Sequence, residues 1–258
     1  MNPGDETTRY AIAVRDAVYR YPDGTPALQG LSLCIERGQS VCLAGPNGAG
    51  KSTLLLALAG LLRAEGRIRV DGNDPTSDHA LGLVFQDADD QLFCPTVFED
   101  VAFGPRNRKL PEEKVSKRVR ESLDATGLTG FEQRSAHHLS GGEKKRAAIA
   151  AVLACRPRIL ALDEPWANLD ARGARAVSDI IRNFAGTRIV ASQDLYHAAD
   201  VCDLMIVLEQ GKVVAEGPIG QLLSDKSLLD RHGLEFGKRC RWCPEAAVNR
   251  ETLKDEGM

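Results

Sequence analysis

The chain of 258 residues lacks any hydrophobic run long enough to cross a bilayer. Its longest apolar stretches, Leu54–Leu62 and Ala147–Cys155, are nine residues each, against the about 20 that a spanning helix needs. It also lacks a cationic excess. With 33 Lys+Arg against 36 Asp+Glu the formal net charge is −3, which argues against a protein that coats DNA or RNA, so no nucleic acid is expected among its partners. Met1–Arg9 is polar, with no apolar segment of the kind a secretory signal carries. Cysteine is sparse and scattered. Four of the seven (Cys34, Cys42, Cys155 and Cys202) sit in apolar stretches, as reduced thiols packed like small hydrophobes do, and this predicts a cytosolic protein. What is present suits a globular chain: 43% hydrophobic and 27% charged residues. A chain of this length buries roughly three quarters of its unfolded surface.

The order of patterns predicts an α/β architecture. From Ile12 to Val41 short apolar runs alternate with turn signals such as Tyr21-Pro22-Asp23-Gly24 and Arg37-Gly38-Gln39, which predicts antiparallel strands. Ser40–Ala44 reads as a buried strand, followed by a glycine-rich loop and a helix over Leu54–Leu62. Gly66–Asp71 reads as an edge strand and Leu81–Gln86 as another buried one. Asp87 to Pro157 is mostly helical in pattern, with one helix opened at Pro111 and another running from Leu139–Gly142 to Cys155. Ile159–Leu162, Arg188–Ala191 and Leu204–Leu208 are short apolar strands, with helical patterns at Asp170–Phe184 and His197–Asp200 between them. Strands alternating with helices predict an open, mostly parallel sheet.

Three segments carry chemistry. Gly45-Pro46-Asn47-Gly48-Ala49-Gly50-Lys51-Ser52-Thr53 contains G-x-x-x-x-G-K-[ST] between a strand and a helix. Its glycines let backbone amides wrap a polyphosphate, Lys51 neutralises the β- and γ-phosphates, and Ser52 offers a hydroxyl to Mg²⁺. Ile159–Glu164 is four apolar residues ending in two carboxylates. A buried strand delivers such carboxylates to its C-terminal edge, where Asp163 can support Mg²⁺ and Glu164 can orient or deprotonate a water. Leu139-Ser140-Gly141-Gly142-Glu143 is a helix N-terminus with a serine cap and two glycines. It is a second place for an anion, far along the chain from the first. The simplest use for both is a nucleotide held between two chains.

On these residues the chain resembles the ATP-binding cassette (ABC) ATPases over about 10–222. Gly45–Thr53 matches Walker A, Ile159–Glu164 Walker B and Leu139–Glu143 the ABC signature. Gln86 falls at the Q-loop position, Asn168-Leu169-Asp170 resembles the D-loop, and Tyr21 lies where the family stacks an aromatic on adenine. Within the cassettes the resemblance is to the ATPases of energy-coupling-factor (ECF) importers. It is carried by Val84–Phe93 with Pro95–Pro105, and by His137–Arg146, whose wording is most like the cobalt/nickel branch. Two departures stand out. Gln193, in Ser192-Gln193-Asp194, occupies the place of the family's switch histidine, and Trp166 stands where threonine is usual. In the tail, His232, Cys240 and Cys243 form a C-x-x-C with a histidine nearby. A structural zinc site needs four ligands, and no second cysteine pair stands beside it.

The resemblance implies a P-loop ATPase with a mostly parallel core sheet, an antiparallel β subdomain and a helical insertion over about 87–157. The ATPase domain would span 1–224 and a C-terminal extension 225–258. It implies ATP and Mg²⁺ as cofactors, with Ser52, Gln86 and Asp163 at the metal. Glu164 and Gln193 would be catalytic, and Tyr21, Gly45–Thr53, Gln86 and Ser140–Gly142 would bind nucleotide. It implies a homodimer, or a heterodimer with a second ABC ATPase, attached to integral membrane transporter subunits at the cytoplasmic face of the membrane. The expected function is powering an importer for cobalt or nickel ions. The alternatives are a soluble cassette not tied to transport and a nucleotide-binding regulator with little turnover, the latter motivated by Gln193.

Overall fold

The computed structural model describes residues 9–77 and 80–236. Two sheets form its frame. A three-stranded antiparallel sheet, in the order β2-β1-β4, comprises β1 (Tyr10–Arg20), β2 (Pro26–Glu36) and β4 (Glu65–Val70). A six-stranded sheet, in the order β5-β6-β7-β3-β8-β9, comprises β3 (Ser40–Ala44), β5 (Leu81–Val84), β6 (Ile159–Asp163), β7 (Thr187–Ala191), β8 (Leu204–Glu209) and β9 (Lys212–Pro218). It is parallel from β5 to β8, and β9 alone runs antiparallel to its neighbour. The helices are α1 (Lys51–Leu58), α2 (Val97–Asn107), α3 (Glu112–Ala125), α4 (Gly141–Ala154), α5 (Ala171–Asn183), α6 (Leu195–Val201), α7 (Ile219–Ser224) and α8 (Lys226–Arg231). None of the described helices is long and apolar enough to cross a membrane.

The large sheet is buried on both faces, which explains strands that read as continuous apolar runs. Side chains alternate between two cores. Val41 and Leu43 of β3, with Ile159 and Ala161 of β6, face the core shared with the antiparallel sheet and α1. Cys42 and Ala44, with Leu160 and Leu162, face the core formed with α5 and α6. Leu229 of α8 and Leu234 join this second core. A third core, built on Val97, Val101, Val119, Leu123 and Ala147, holds α2, α3 and α4 together. Arg37 and Arg158 both pair with Asp71, a bond set that ties the two sheets at their edge.

Some sequence expectations shift. The helix expected at Leu54–Leu62 begins earlier and ends sooner. Gly50, at φ 102, turns the loop directly into α1 at Lys51, and Gly60, at φ 73, turns the chain out after Leu58. The strand expected to reach Gln86 stops at Val84, because the backbone beyond it bonds to side chains instead of a neighbouring strand. Phe85 N donates to Gln91 Oε1 at 2.9 Å. Cys34, expected to pack among apolar neighbours, is exposed, because it lies on the outward side of β2, whose burial alternates along Leu31–Ile35. Cys42 and Cys202 are buried as expected, and Cys155 is half-buried. β9 is the strand that the sequence reading omits. Its residues Lys-Val-Val-Ala-Glu-Gly-Pro include two poor strand formers.

Candidate functional site

The parallel strands end on one edge, and that edge carries the motifs. The loop after β3 is Gly45–Gly50, β5 is followed by Gln86, β6 ends in Asp163 with Glu164 next, and β7 is followed by Ser192 and Gln193. Carboxyl ends of strands in open α/β sheets are where ligands bind. A cavity of about 570 Å³ opens there, lined by Tyr21, Asn47–Thr53, Gln86, Asp163, Glu164, Trp166 and Gln193 among others.

The phosphate loop is shaped by its glycines. Gly45 sits at φ 146, and a Cβ there would meet Leu208 O at 2.2 Å. No other residue fits so close to a passing backbone. Lys51 opens α1 and is buried, with Nζ donating to Gly45 O at 2.7 Å and Pro46 O at 3.2 Å. Burial lowers its pKa, and the carboxylates of Glu164 and Asp163 pull it back up. Tyr21 stands at the mouth, its hydroxyl 2.9 Å from Thr53 Oγ1 and its ring edge-on to Tyr19. Tyr21 is partly exposed and lines the cavity, where an aromatic ring can take a planar group.

The two carboxylates differ in their partners. Burial raises the pKa of Asp163, while the neighbouring Ser52 hydroxyl and the charges of Lys51 and Lys145 hold it down. Its Oδ1 is buried without a hydrogen-bond partner. A buried carboxylate oxygen left unpaired beside a hydroxyl, with the Gln86 amide lining the same cavity, is a donor set of hard oxygens that suits Mg²⁺. Glu164 lies at φ 40, a strained position for a non-glycine residue. Its Oε2 accepts from Ser192 Oγ at 3.0 Å, and its Oε1 from Gln193 N at 3.0 Å. Burial pushes its pKa up, while the Ser192 hydroxyl and Lys51 hold it down.

Gln193 plays two parts. Its main-chain N–H holds Glu164, and its side-chain Nε2 donates to Asn47 Oδ1 in the phosphate loop. The hold on Glu164 is therefore independent of the side chain at 193. Trp166 is buried against α5, where Nε1 donates to Ser178 Oγ at 3.0 Å, and its ring lies 5.5 Å from that of His197. This packing accounts for a large aromatic in place of a small residue there.

Ser140, Gly141 and Gly142 do not join the phosphate-loop cavity. Ser140 and Gly141 are exposed at the start of α4, where Ser140 and Glu143 form a reciprocal cap. Ser140 N donates to Glu143 Oε2 at 2.8 Å. Asp170 of the D-loop segment caps α5 through Gly173 N at 2.7 Å. Sequence reasoning assigned no role to two buried residues at this edge. Ser192 is fully buried under Glu164, and Lys145 is buried beneath Gln86. A serine and one lysine of a basic run carry no pattern of their own. In the tail, His232 Nδ1 meets Glu209 Oε2 at 2.8 Å, while Cys240 and Cys243 lie outside the described residues.

The family pattern described as ABC transporter matches residues 28–167. The chain is 46% identical over 237 residues to the energy-coupling factor transporter ATP-binding protein EcfA of Methanothermobacter thermautotrophicus, covering 87% of this chain and 76% of that one. It is 44% identical over 235 residues to EcfA of Carboxydothermus hydrogenoformans, covering 87% of each. Among solved structures it superposes on cbiO1 from Clostridium perfringens, part of the ABC transporter complex cbiONQ. The TM-score is 0.74 at 37% identity, covering 86% of this chain and 94% of that one.

Proposed function

The chain belongs to the ABC transporter ATPases, and from that premise we propose that it is the ATP-hydrolysing subunit of an energy-coupling-factor type importer that carries cobalt or nickel ions. The observation that supports the reading best is the meeting of Asn47–Thr53, Gln86, Asp163, Glu164 and Gln193 around one cavity at the carboxyl edge of the sheet, with the signature left outside it. The wording His137–Arg146 supports the metal-ion branch.

In this reading the amides of Gly45–Thr53 cradle the phosphates of ATP, and Lys51 turns its ammonium from the loop carbonyls to them. The adenine lies on the ring of Tyr21. Ser52, Asp163 and Gln86 hold Mg²⁺, which offsets the negative charge of the phosphates when bound. Glu164, oriented by Ser192 and the Gln193 amide, takes the proton of the attacking water. Ser140–Gly142 meets the γ-phosphate of a second cassette, so two nucleotides join a two-fold pair, either of identical chains or with a related ATPase. The ATPase domain spans 1–224 with the helical insertion at 87–157, and 225–258 extends it. No described helix crosses a membrane, so the stroke is delivered to separate integral membrane subunits, with this chain peripheral on the cytoplasmic face.

The transport reading is tested by uptake in cells that carry the chain and its membrane subunits. Labelled cobalt or nickel should accumulate, and should fail to when Glu164 is Gln. Accumulation of a vitamin with no metal-ion uptake would move the chain to another branch of the same importers.

Gln193→His should raise turnover by roughly 10–100-fold, the worth of one well-placed transition-state donor or less, with the KM for ATP little changed. The main-chain hold on Glu164 persists in that variant. What changes is the group offered to the γ-phosphate, from a neutral amide to an imidazole that can share positive charge. Steady-state hydrolysis by the two proteins is the comparison. Equal or slower turnover in the histidine variant would mean that glutamine already performs the task.

A further inference from the structure

Three consecutive basic residues on α4 reach three different places. Lys144 Nζ pairs with Asp89 at 2.7 Å on the surface. Arg146 Nη1 donates to the carbonyls of Thr126 and Gly127, both at 3.2 Å. Lys145 turns inward and is only 3% exposed. A buried ammonium must have its donors satisfied. Here no carboxylate takes them. Nζ donates to two main-chain oxygens, Gln86 O at 2.6 Å and Phe85 O at 3.1 Å.

Those two carbonyls belong to a stretch of backbone with little other support. β5 is the edge strand of the large sheet and stops at Val84. Past that point the chain is fastened by side chains from two directions. Gln91 receives Phe85 N at 2.9 Å and donates to Leu83 O at 3.1 Å. Lys145 takes the carbonyls of Phe85 and Gln86 from the side of α4. Gln86 and Asp163 line both the phosphate-loop cavity and a second one of about 620 Å³, which Lys145, Lys144, Gly141 and Asn168 also line. The ammonium thus sits between the signature helix and the magnesium carboxylate. Burial lowers its pKa, and Asp87, Asp163 and Glu164 act to keep it charged.

We propose that Lys145 is a positioning residue of the ATPase, which pins the main chain of Gln86 to α4 so that Gln86 reaches the nucleotide cavity only with the signature helix in place. Any rotation of α4 relative to the sheet then moves Gln86 with it. The helix that serves the partner's nucleotide and the glutamine that serves this chain's own are joined by two hydrogen bonds. The inference rests on the role given above to Gln86 and adds to it the residue through which the helical insertion acts.

The test is a double-mutant cycle of Lys145→Met and Gln86→Ala, with kcat and KM for ATP measured for each protein. Lys145→Met should lower kcat by about 10-fold or more, since misplacing a positioned group by about 1 Å can cost 10²-fold, while KM stays within about 3-fold because the phosphate loop carries binding. In the Gln86→Ala background the same change should cost less than about 3-fold further, since residues acting through one another are not additive. If Lys145→Met does not fold, Lys145→Leu, which likewise lacks donors, takes its place in the cycle, while Lys145→Gln, which keeps amide donors for the carbonyls, should lose less of kcat than either. An unchanged kcat in the lysine variant overturns the proposal. So does a loss in the Gln86→Ala background as large as in the wild type, which leaves the role of Gln86 standing. Gln86→Ala with wild-type kcat overturns the role of Gln86 and this inference together.

Discussion

Glu164→Gln is expected to lower turnover by roughly 10²–10³-fold while ATP binding persists, the loss typical of a missing general base. The glutamine side chain has the size of the carboxylate and can still accept from Ser192 Oγ and Gln193 N, so the loop after β7 keeps its place. Oε2 receives both Ser192 Oγ, at 3.0 Å, and Gln193 N, at 3.3 Å, so an amide oxygen in its place keeps both partners, and only the contact of Gln193 N with Oε1 is lost. What disappears altogether is the proton acceptor. Burial already raises the pKa of Glu164 and makes it a stronger base than an exposed glutamate. The phosphate loop and Lys51 are untouched, so the nucleotide stays. With hydrolysis blocked, the closed pair has no exit, and a dimer should accumulate in ATP and Mg²⁺ but not in ADP. Sedimentation in the two conditions and a hydrolysis assay read both effects. A variant that turns over like the wild type removes Glu164 from the chemistry. A variant that binds ATP, fails to hydrolyse it and stays monomeric points to a different cassette as its partner.

The parts of this molecule that the sequence makes legible are those where one residue type has one structural use. Ser40–Ala44 is apolar after its first residue, and the structure buries every position, with Val41 and Leu43 on one side and Cys42 and Ala44 on the other. Gly45 and Gly50 mark a loop that only glycine can form, because a Cβ at either would strike a backbone oxygen within 2.5 Å. The carboxylates at the end of β6 follow from the same logic of an apolar strand that runs out at the sheet edge.

Illegible parts are those decided by partners distant in sequence. Lys144, Lys145 and Arg146 look alike in a row, yet one lies on the surface, one is buried and one caps the end of α3. Their fates depend on Asp89, on the free carbonyls past β5 and on Thr126. Trp166 finds its partners in Ser178 and His197, and neither spacing is a motif. The end of β5 is set by Gln91, a side chain that imitates a neighbouring strand. Cys34 shows the converse error. An apolar neighbourhood in sequence does not bury a residue on the outward side of a strand.

Lys51→Ala should weaken ATP binding by about 2–5 kcal/mol, a factor of roughly 30 or more in Kd, the cost of removing one member of a desolvated charge pair. Lys51 is 6% exposed. Its ammonium is therefore not one of several mobile surface charges that water and salt could replace. Nζ lies on Gly45 O and Pro46 O, inside the loop whose amides face the cavity. Its removal has a second consequence. The cavity also holds Asp163 and Glu164, two half-buried carboxylates for which Lys51 is a nearby compensating charge. Without it the field in the cavity becomes more negative, which opposes a polyanion before any contact is made. Lys51→Arg should recover little of the loss, since the guanidinium is wider than the ammonium and the site closes around Nζ. The measurement is a titration of each variant with ATP and Mg²⁺, beside thermal unfolding to establish that α1 and the loop remain folded. Affinity within about 3-fold of the wild type in a folded Lys51→Ala protein would show that the backbone amides bind the phosphates without the lysine.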